Sequence, residues 1–145
     1  MNALFLLLLA VAPPQDFTVG TAAAARGKPV YGQIAVPAAA DSALTIPVAV
    51  IHGAKAGRVV AFVAGSHGTE YASIVAMQRL IPRIDATRLS GTVVVVPIIN
   101  IAAIEQMTPH LNPIDRKSMN GNYPGDATGT QSQRALFAIT RAVVD

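Results

Sequence analysis

Cysteine is absent from the 145 residues. That excludes disulfides, Cys-ligated zinc, iron–sulfur clusters, a thiol nucleophile and a lipidated N-terminal cysteine, so any bound metal has to use histidine and carboxylate. A chain without cysteine suits oxidising and reducing surroundings equally. Charge is also scarce, at 13% of residues against 52% apolar. Disordered segments show the opposite balance, so this is a folding sequence. Lys and Arg exceed Asp and Glu by only 11 to 8, they form no run, and aromatics are 5%. Nucleic-acid binding needs a clustered basic face, and nucleic acid is therefore not expected as a partner.

A stable membrane span is not expected either. The apolar run Ala3–Val11 falls well short of the roughly 20 residues that cross a bilayer. It has the length of a signal-peptide core, and Ala10-Val11-Ala12 offers a small-x-small cleavage site, although Pro13 follows it and no Lys or Arg precedes the run. The reading is export to the periplasm or the exterior, with residues 1–16 as signal peptide and link. The alternatives are an uncleaved apolar segment or a different start.

What is present fits one domain in residues 17–145. Val30–Pro37 and Leu44–Ile51 read as two strands separated by Asp41-Ser42, with a turn at His52-Gly53. Arg58–Ala64 is a near-continuous apolar run and reads as a central strand buried on both faces. Glu70–Leu80 turns helical, with Ile74, Met77 and Ile81 on one side and Pro82 as the stop. Thr92–Ile99 is a second buried strand. Strand, helix and strand in that order make a βαβ unit with a parallel pair. Pro109–Gly129 is rich in Pro, Gly, Asn and Asp and reads as a long ordered loop, a kind of segment that is often functional. A capping box, Thr130 with Gln133, opens a last helix carrying Ala135, Leu136 and Ile139. The fold class expected is α/β, a mixed, mainly parallel sheet flanked by helices.

The segment Gly65-Ser66-His67-Gly68-Thr69-Glu70 lies where a strand ends and its helix begins, the place where open α/β sheets bind ligands. His67 and Glu70 are three apart, so on a first helical turn their side chains point the same way and can grip one ion. An imidazole nitrogen and a carboxylate oxygen are two of the three protein ligands in a two-His, one-Glu zinc site. An H-x-x-E pair alone is a weak signal, since it also marks solvated helix faces.

This segment resembles the G-x-H-G-x-E signature of the succinylglutamate desuccinylase and aspartoacylase family of zinc carboxypeptidase-like hydrolases. The stretch Pro113–Gly125, with Asp115, Met119, Asn120, Tyr123 and Pro124, is similar to that family's P-x-D-x-x-x-[LM]-N-R-x-[FY]-P-G loop. The likeness extends to Gly91-Thr92, Pro97, Asn100 and Gly129-Thr130. It implies a zinc ion held by His67, Glu70 and a second histidine on a later Asp-x-His strand, with a later glutamate as general base. Neither of those later residues is present, so the resemblance implies the first part of a catalytic domain that stops before the second zinc histidine and is inactive alone. It also implies a deacylase cleaving an amide, or ester, bond of a small N-acylated amine or amino acid, with Asn120 binding substrate. A zinc carboxypeptidase acting on peptides and a non-catalytic truncated binding module are the alternatives.

Three further positions bear on that reading. Gly121 stands where the family carries an arginine that would clamp a substrate carboxylate, which leaves acidic specificity open. Arg116 can supply charge from the same loop or be a solvated cation. His52 is read as a solvent-facing turn residue. His110 lies near where the resemblance implies a substrate-binding arginine; it is read as a loop-tip residue, with pointing into the cleft as the alternative, and neither histidine is assigned to zinc. Oligomeric state is left open.

Overall fold

The computed structural model describes residues 15–144. The apolar run Ala3–Val11 and Asp145 lie outside them, so the export reading has no structural counterpart here. No helix among the described residues is long and apolar enough to cross a membrane.

Strands β1 (Phe17–Val19) and β2 (Ala22–Ala24) form a small antiparallel hairpin. The main sheet has four strands: β3 (Lys28–Val36), β4 (Leu44–His52), β5 (Lys55–Val63) and β6 (Ser90–Val96). Their spatial order is β3-β4-β6-β5. β3 and β4 pair antiparallel with Lys28 opposite His52 and Val36 opposite Leu44. β6 enters between β4 and β5, antiparallel to the first and parallel to the second. The sheet is thus mixed, but not mainly parallel as expected: two of the three pairings among the described strands are antiparallel, because β3 and β4 form a hairpin and β6 inserts antiparallel beside β4, and the one parallel pair is the expected strand–helix–strand unit. Helix α1 (Tyr71–Leu80) makes the crossover and tightens into a 3-10 turn at Ile81–Arg83 around Pro82, which cannot continue the backbone ladder. Helix α2 (Ile101–Glu105) follows β6, and α3 (Gln131–Ile139) passes into a π turn over Thr140–Val144.

The period-two alternation of strand side chains divides the core into two layers. Ile46, Val48 and Val50 of β4 and Val94 and Val96 of β6 face the hairpin and the α3 residues Ala135, Leu136 and Ile139. Ala49, Ile51 and Val95 face the opposite way, onto Ile81 and Ala86, with Met77 packed beside them. β4 and β6 are therefore the strands buried on both faces. Burial on this scale contributes about 1.5–3 kcal/mol for each fully covered Val, Leu or Ile side chain.

Two further expectations need correction. The apolar run in β5 does not mark a central strand: β5 is an edge strand, every one of its residues is exposed, and Val59 and Val60 are about half accessible. Its run of apolar residues suits a strand covered on both faces, and among the described residues β6 is its only ladder partner. His52, expected in solvent, is buried at 6% exposure because β4 runs one residue further than its apolar pattern. Its ring lies 5.8 Å from that of Phe17, and its Nδ1 is 2.8 Å from Thr92 Oγ1.

Candidate active site

The ends of β5 and β6 continue side by side past the sheet. Ala64 N–H donates to Val96 O at 2.9 Å, Ile99 N–H to Ala64 O at 3.1 Å and Asn100 N–H to Gly65 O at 3.0 Å. This zipper requires glycine at 65, where φ is +69° and an added Cβ would sit 2.8 Å from Ile98 Cα. Asn100, fully buried, then holds the segment from beneath. Its Nδ2 donates to Ser66 O at 3.0 Å, and its Oδ1 accepts from Ala103 N–H at 3.3 Å, capping α2.

His67 emerges directly after this clamp. Its Nδ1 lies 2.8 Å from Glu70 Oε1. A carboxylate can only accept, so the proton is on Nδ1. The pair sits in the turn that precedes α1, not on its first turn, because Glu70 is the N-cap residue with φ −92° and ψ 58°. The i, i+3 proximity survives because Glu70 N–H reaches back to His67 O at 3.4 Å. Glu70 is open to solvent and the His67 side chain is 16% exposed.

The long loop closes over this turn. Gly68 N–H donates to Thr108 O at 2.9 Å, and Met119 is buried in the main core at 1% exposure. With its neighbour anchored inward, Asn120 turns outward, and its Nδ2 lies 3.5 Å from His67 Nε2. The loop is tied at its other end by Asp115, whose carboxylate accepts from Ser132 N–H at 2.7 Å, Ser132 Oγ at 2.9 Å and Lys117 N–H at 3.0 Å. Burial raises the Asp115 carboxyl pKa, but the N–H groups of Ser132 and Lys117 outweigh it and leave the group below its ordinary value. Asp41 Oδ2 accepts from the adjacent Gln131 N–H at 2.7 Å, so two distant carboxylates cap the first turn of α3, where orphan donors favour negative charge. Gln133 completes the expected capping box, its Oε1 accepting from Thr130 N–H at 3.1 Å.

His67, Glu70 and Asn120 are thus brought together at the C-terminal ends of β5 and β6. His110, read from sequence as a loop tip, also reaches them: its ring packs edge-on against His67 with centroids 5.4 Å apart. That is the alternative its place in the loop left open, and the docking of Thr108 on Gly68 brings it about. Among the described residues no hydrogen bond or ion pair joins Arg116 to the His67–Glu70 pair, and Gly121 leaves open space, with nothing within 4 Å of an added Cβ.

Residues 56–143, more than half of the chain, match the succinylglutamate desuccinylase/aspartoacylase catalytic domain. The chain belongs to this family. It is 30% identical over 118 residues to an N-alpha-acetyl-L-2,4-diaminobutyric acid deacetylase of Halomonas elongata, a match covering 79% of this chain and 34% of that protein. Among solved structures it is similar to an aspartoacylase family protein from Mesorhizobium loti, with TM-score 0.75, 30% identity and coverage of 80% of this chain and 37% of the other. A succinylglutamate desuccinylase/aspartoacylase from Rhodobacter sphaeroides gives TM-score 0.71 and 28% identity, covering 80% and 36%. The chain thus spans about a third of the length of these family members.

Against the donor set of a zinc site, the His67–Glu70 pair is a fit for two positions. Ligand distances of 2.0–2.2 Å put neighbouring donors of a tetrahedral ion about 3.3 Å apart. At 2.8 Å the two atoms are close enough for small side-chain rotations to bring both onto one ion. No group of three or more His, Asp or Glu among the described residues is placed to hold a metal; His110 approaches His67 through its ring edge and does not join the pair as a third donor.

Proposed function

We propose that this chain is the first part of the catalytic domain of a zinc-dependent hydrolase that cleaves the amide, or ester, bond of a small N-acylated amine or amino acid. The observation that carries the reading is the His67–Glu70 pair, 2.8 Å apart and faced by Asn120, at the strand ends of a chain that belongs to a deacylase family. His67 and Glu70 would hold the zinc, with a further histidine and the general base supplied from beyond residue 145. Bound there, the metal would supply Lewis acidity to the scissile carbonyl and lower the pKa of water. Hydrolysis adds that water across the C–N bond, giving a carboxylic acid and a free amine.

The chain's own residues have distinct parts in this. Asn100 fixes the backbone from which His67 projects, and Asn120 offers an amide to a substrate carbonyl or carboxylate oxygen. The deacetylase relative makes an N-acetylated diamino acid a reasonable first substrate to try. Export of the protein is proposed as well, on the apolar run Ala3–Val11 alone, and sequencing of the mature N-terminus checks it.

The experiment is a calorimetric zinc titration of the 145-residue chain, with an amidase assay beside it. Two protein ligands fall short of the three a catalytic zinc normally receives, so weak uptake and no measurable turnover are expected. Tight stoichiometric uptake would place a third ligand within this chain and overturn the proposed division.

A further inference from the structure

Asn120 is followed by Gly121, the sole Asn-Gly pair in the sequence. An asparagine amide is open to attack by the backbone nitrogen of the next residue when that nitrogen is unscreened and free to approach. Glycine has no side chain to hinder the approach. The fold preserves this freedom. Met119 is anchored in the core and Asn122 N–H donates to Met119 O at 3.2 Å, so Asn120 and Gly121 are the two central residues of a turn. Both are exposed to water, Gly121 N–H makes no hydrogen bond among the described residues, and nothing lies within 4 Å of a Cβ added at position 121.

The other asparagines among the described residues lack these features. Asn100 is 1% exposed, is bonded through both its side-chain oxygen and nitrogen, and precedes the β-branched Ile101. Asn112 is as deeply buried and precedes Pro113, which has no N–H. Asn122 precedes the bulkier Tyr123, and its Nδ2 donates to Ser118 O at 2.6 Å. Asn120 is held by the looser approach of its Nδ2 to His67 Nε2 at 3.5 Å.

We propose that Asn120-Gly121 is a self-modification site, at which the amide facing His67 turns into a carboxylate. The Gly121 nitrogen gives up its proton to solvent base and bonds to Asn120 Cγ. The Cγ–Nδ2 bond breaks, Nδ2 leaves as ammonia, and a succinimide ring remains. Water then opens the ring: attack at Cγ gives aspartate, and attack at the main-chain carbonyl gives isoaspartate, which routes the backbone through the side chain. Overall one water enters and one ammonia leaves. A carboxylate only accepts hydrogen bonds, so the N–H donor opposite His67 is lost and a negative charge takes its place. The consequence for activity rests on the deacylase reading: the new charge repels the substrate oxygen that the Asn120 amide binds, and the protein loses activity as it ages. The modification itself is measurable without turnover.

The test incubates the folded protein carrying this chain in mildly alkaline buffer made with oxygen-18 water, and follows the tryptic peptide Ser118–Arg134 by tandem mass spectrometry and isoaspartyl methyltransferase labelling. N-acetyl amino acid hydrolysis is measured on the same samples. The expected result is oxygen-18 and isoaspartate at position 120, rising with time, and none at Asn100, Asn112 or Asn122. Hydrolysis should fall in step, the converted molecules being about 10- to 100-fold less active. Gly121→Val, whose branched side chain screens the attacking nitrogen, should stop the conversion, and Gly121→Ala should slow it and serves if the valine variant folds poorly. An Asn120 that stays intact while the isolated peptide Ser118–Arg134 converts, or conversion that neither Gly121 variant slows, overturns the proposal. Conversion at Asn120 upholds the site even where hydrolysis is undiminished or absent from the start; those two outcomes count instead against Asn120 as a substrate contact and against the deacylase reading, respectively.

Discussion

Gly68 and Thr108, forty positions apart, are joined by a single backbone hydrogen bond of 2.9 Å, Gly68 donating. That bond seats the long loop on the turn carrying His67 and Glu70. It also leaves no room for a side chain: a Cβ at position 68 would lie 1.9 Å from Ala103 O and 2.5 Å from Thr108 O. Gly68→Ala should therefore push α2 and the loop off the turn, costing about 1–3 kcal/mol as overpacking does. The check is a urea denaturation midpoint together with the His67–His110 ring contact seen as an NMR cross-peak. An unchanged midpoint and an intact contact would show that the loop is held elsewhere.

Asn120 faces His67 but is not a candidate metal ligand. If the protein carrying this chain is the proposed deacylase, Asn120→Ala should lower its kcat/KM about 10- to 100-fold, the equivalent of roughly 1.4–2.7 kcal/mol for one lost polar contact, with zinc content unchanged. Loss of zinc along with activity would mean that Asn120 supports the metal site and not the substrate.

The neighbouring position is sterically free, so Gly121→Arg should be accepted with a stability change of about 0.5 kcal/mol or less. It should shift preference toward substrates whose acyl group bears a carboxylate. An unchanged preference would show that position 121 does not read that end of the substrate.

His52 gives the fold a pH dependence unrelated to catalysis. Burial, and next the Arg26 charge, lower its pKa below 6.5, while Asp16 works weakly in the opposite direction. His52 Nε2 has no hydrogen-bond partner among the described residues. The unfolded chain therefore takes up a proton near pH 6.5 before the folded one does, and stability present above that pH is lost as pH falls, by at most about 1.4 kcal/mol per unit for one group. Denaturation at pH 7.5 and 5.5 should show this slope, and His52→Gln should reduce it. An imidazole that titrates at or above 6.5 in the folded protein contradicts the assignment.

Much of this arrangement is legible in the residues, and the exceptions share a cause. β4, β6 and α3 announce themselves because their apolar spacing is local and their burial complete, as Ile51, Val95 and Leu136 illustrate. The juxtaposition of His67 and Glu70 follows from short-range spacing, and that of Asn120 from the common edge on which parallel strands open. β5 misleads because an apolar run reports how a strand is to be covered, not its place in the sheet. β1 and β2 escape notice because Ala22–Ala24 carries little β propensity, and α2 because five residues are too few to show a helical period. His52 and His110 are set by Phe17, Thr92 and His67, partners far away in sequence that no local pattern encodes.

The most direct test of the zinc-dependent deacylase account is metal content measured together with N-acetyl amino acid hydrolysis in the protein carrying this chain, for the native sequence and for His67→Ala and Glu70→Ala. The account predicts about one zinc per chain, amine release abolished by chelation and restored by zinc, and loss of both metal and turnover in each variant. Turnover that survives chelation, or full zinc retention in both variants, would contradict it.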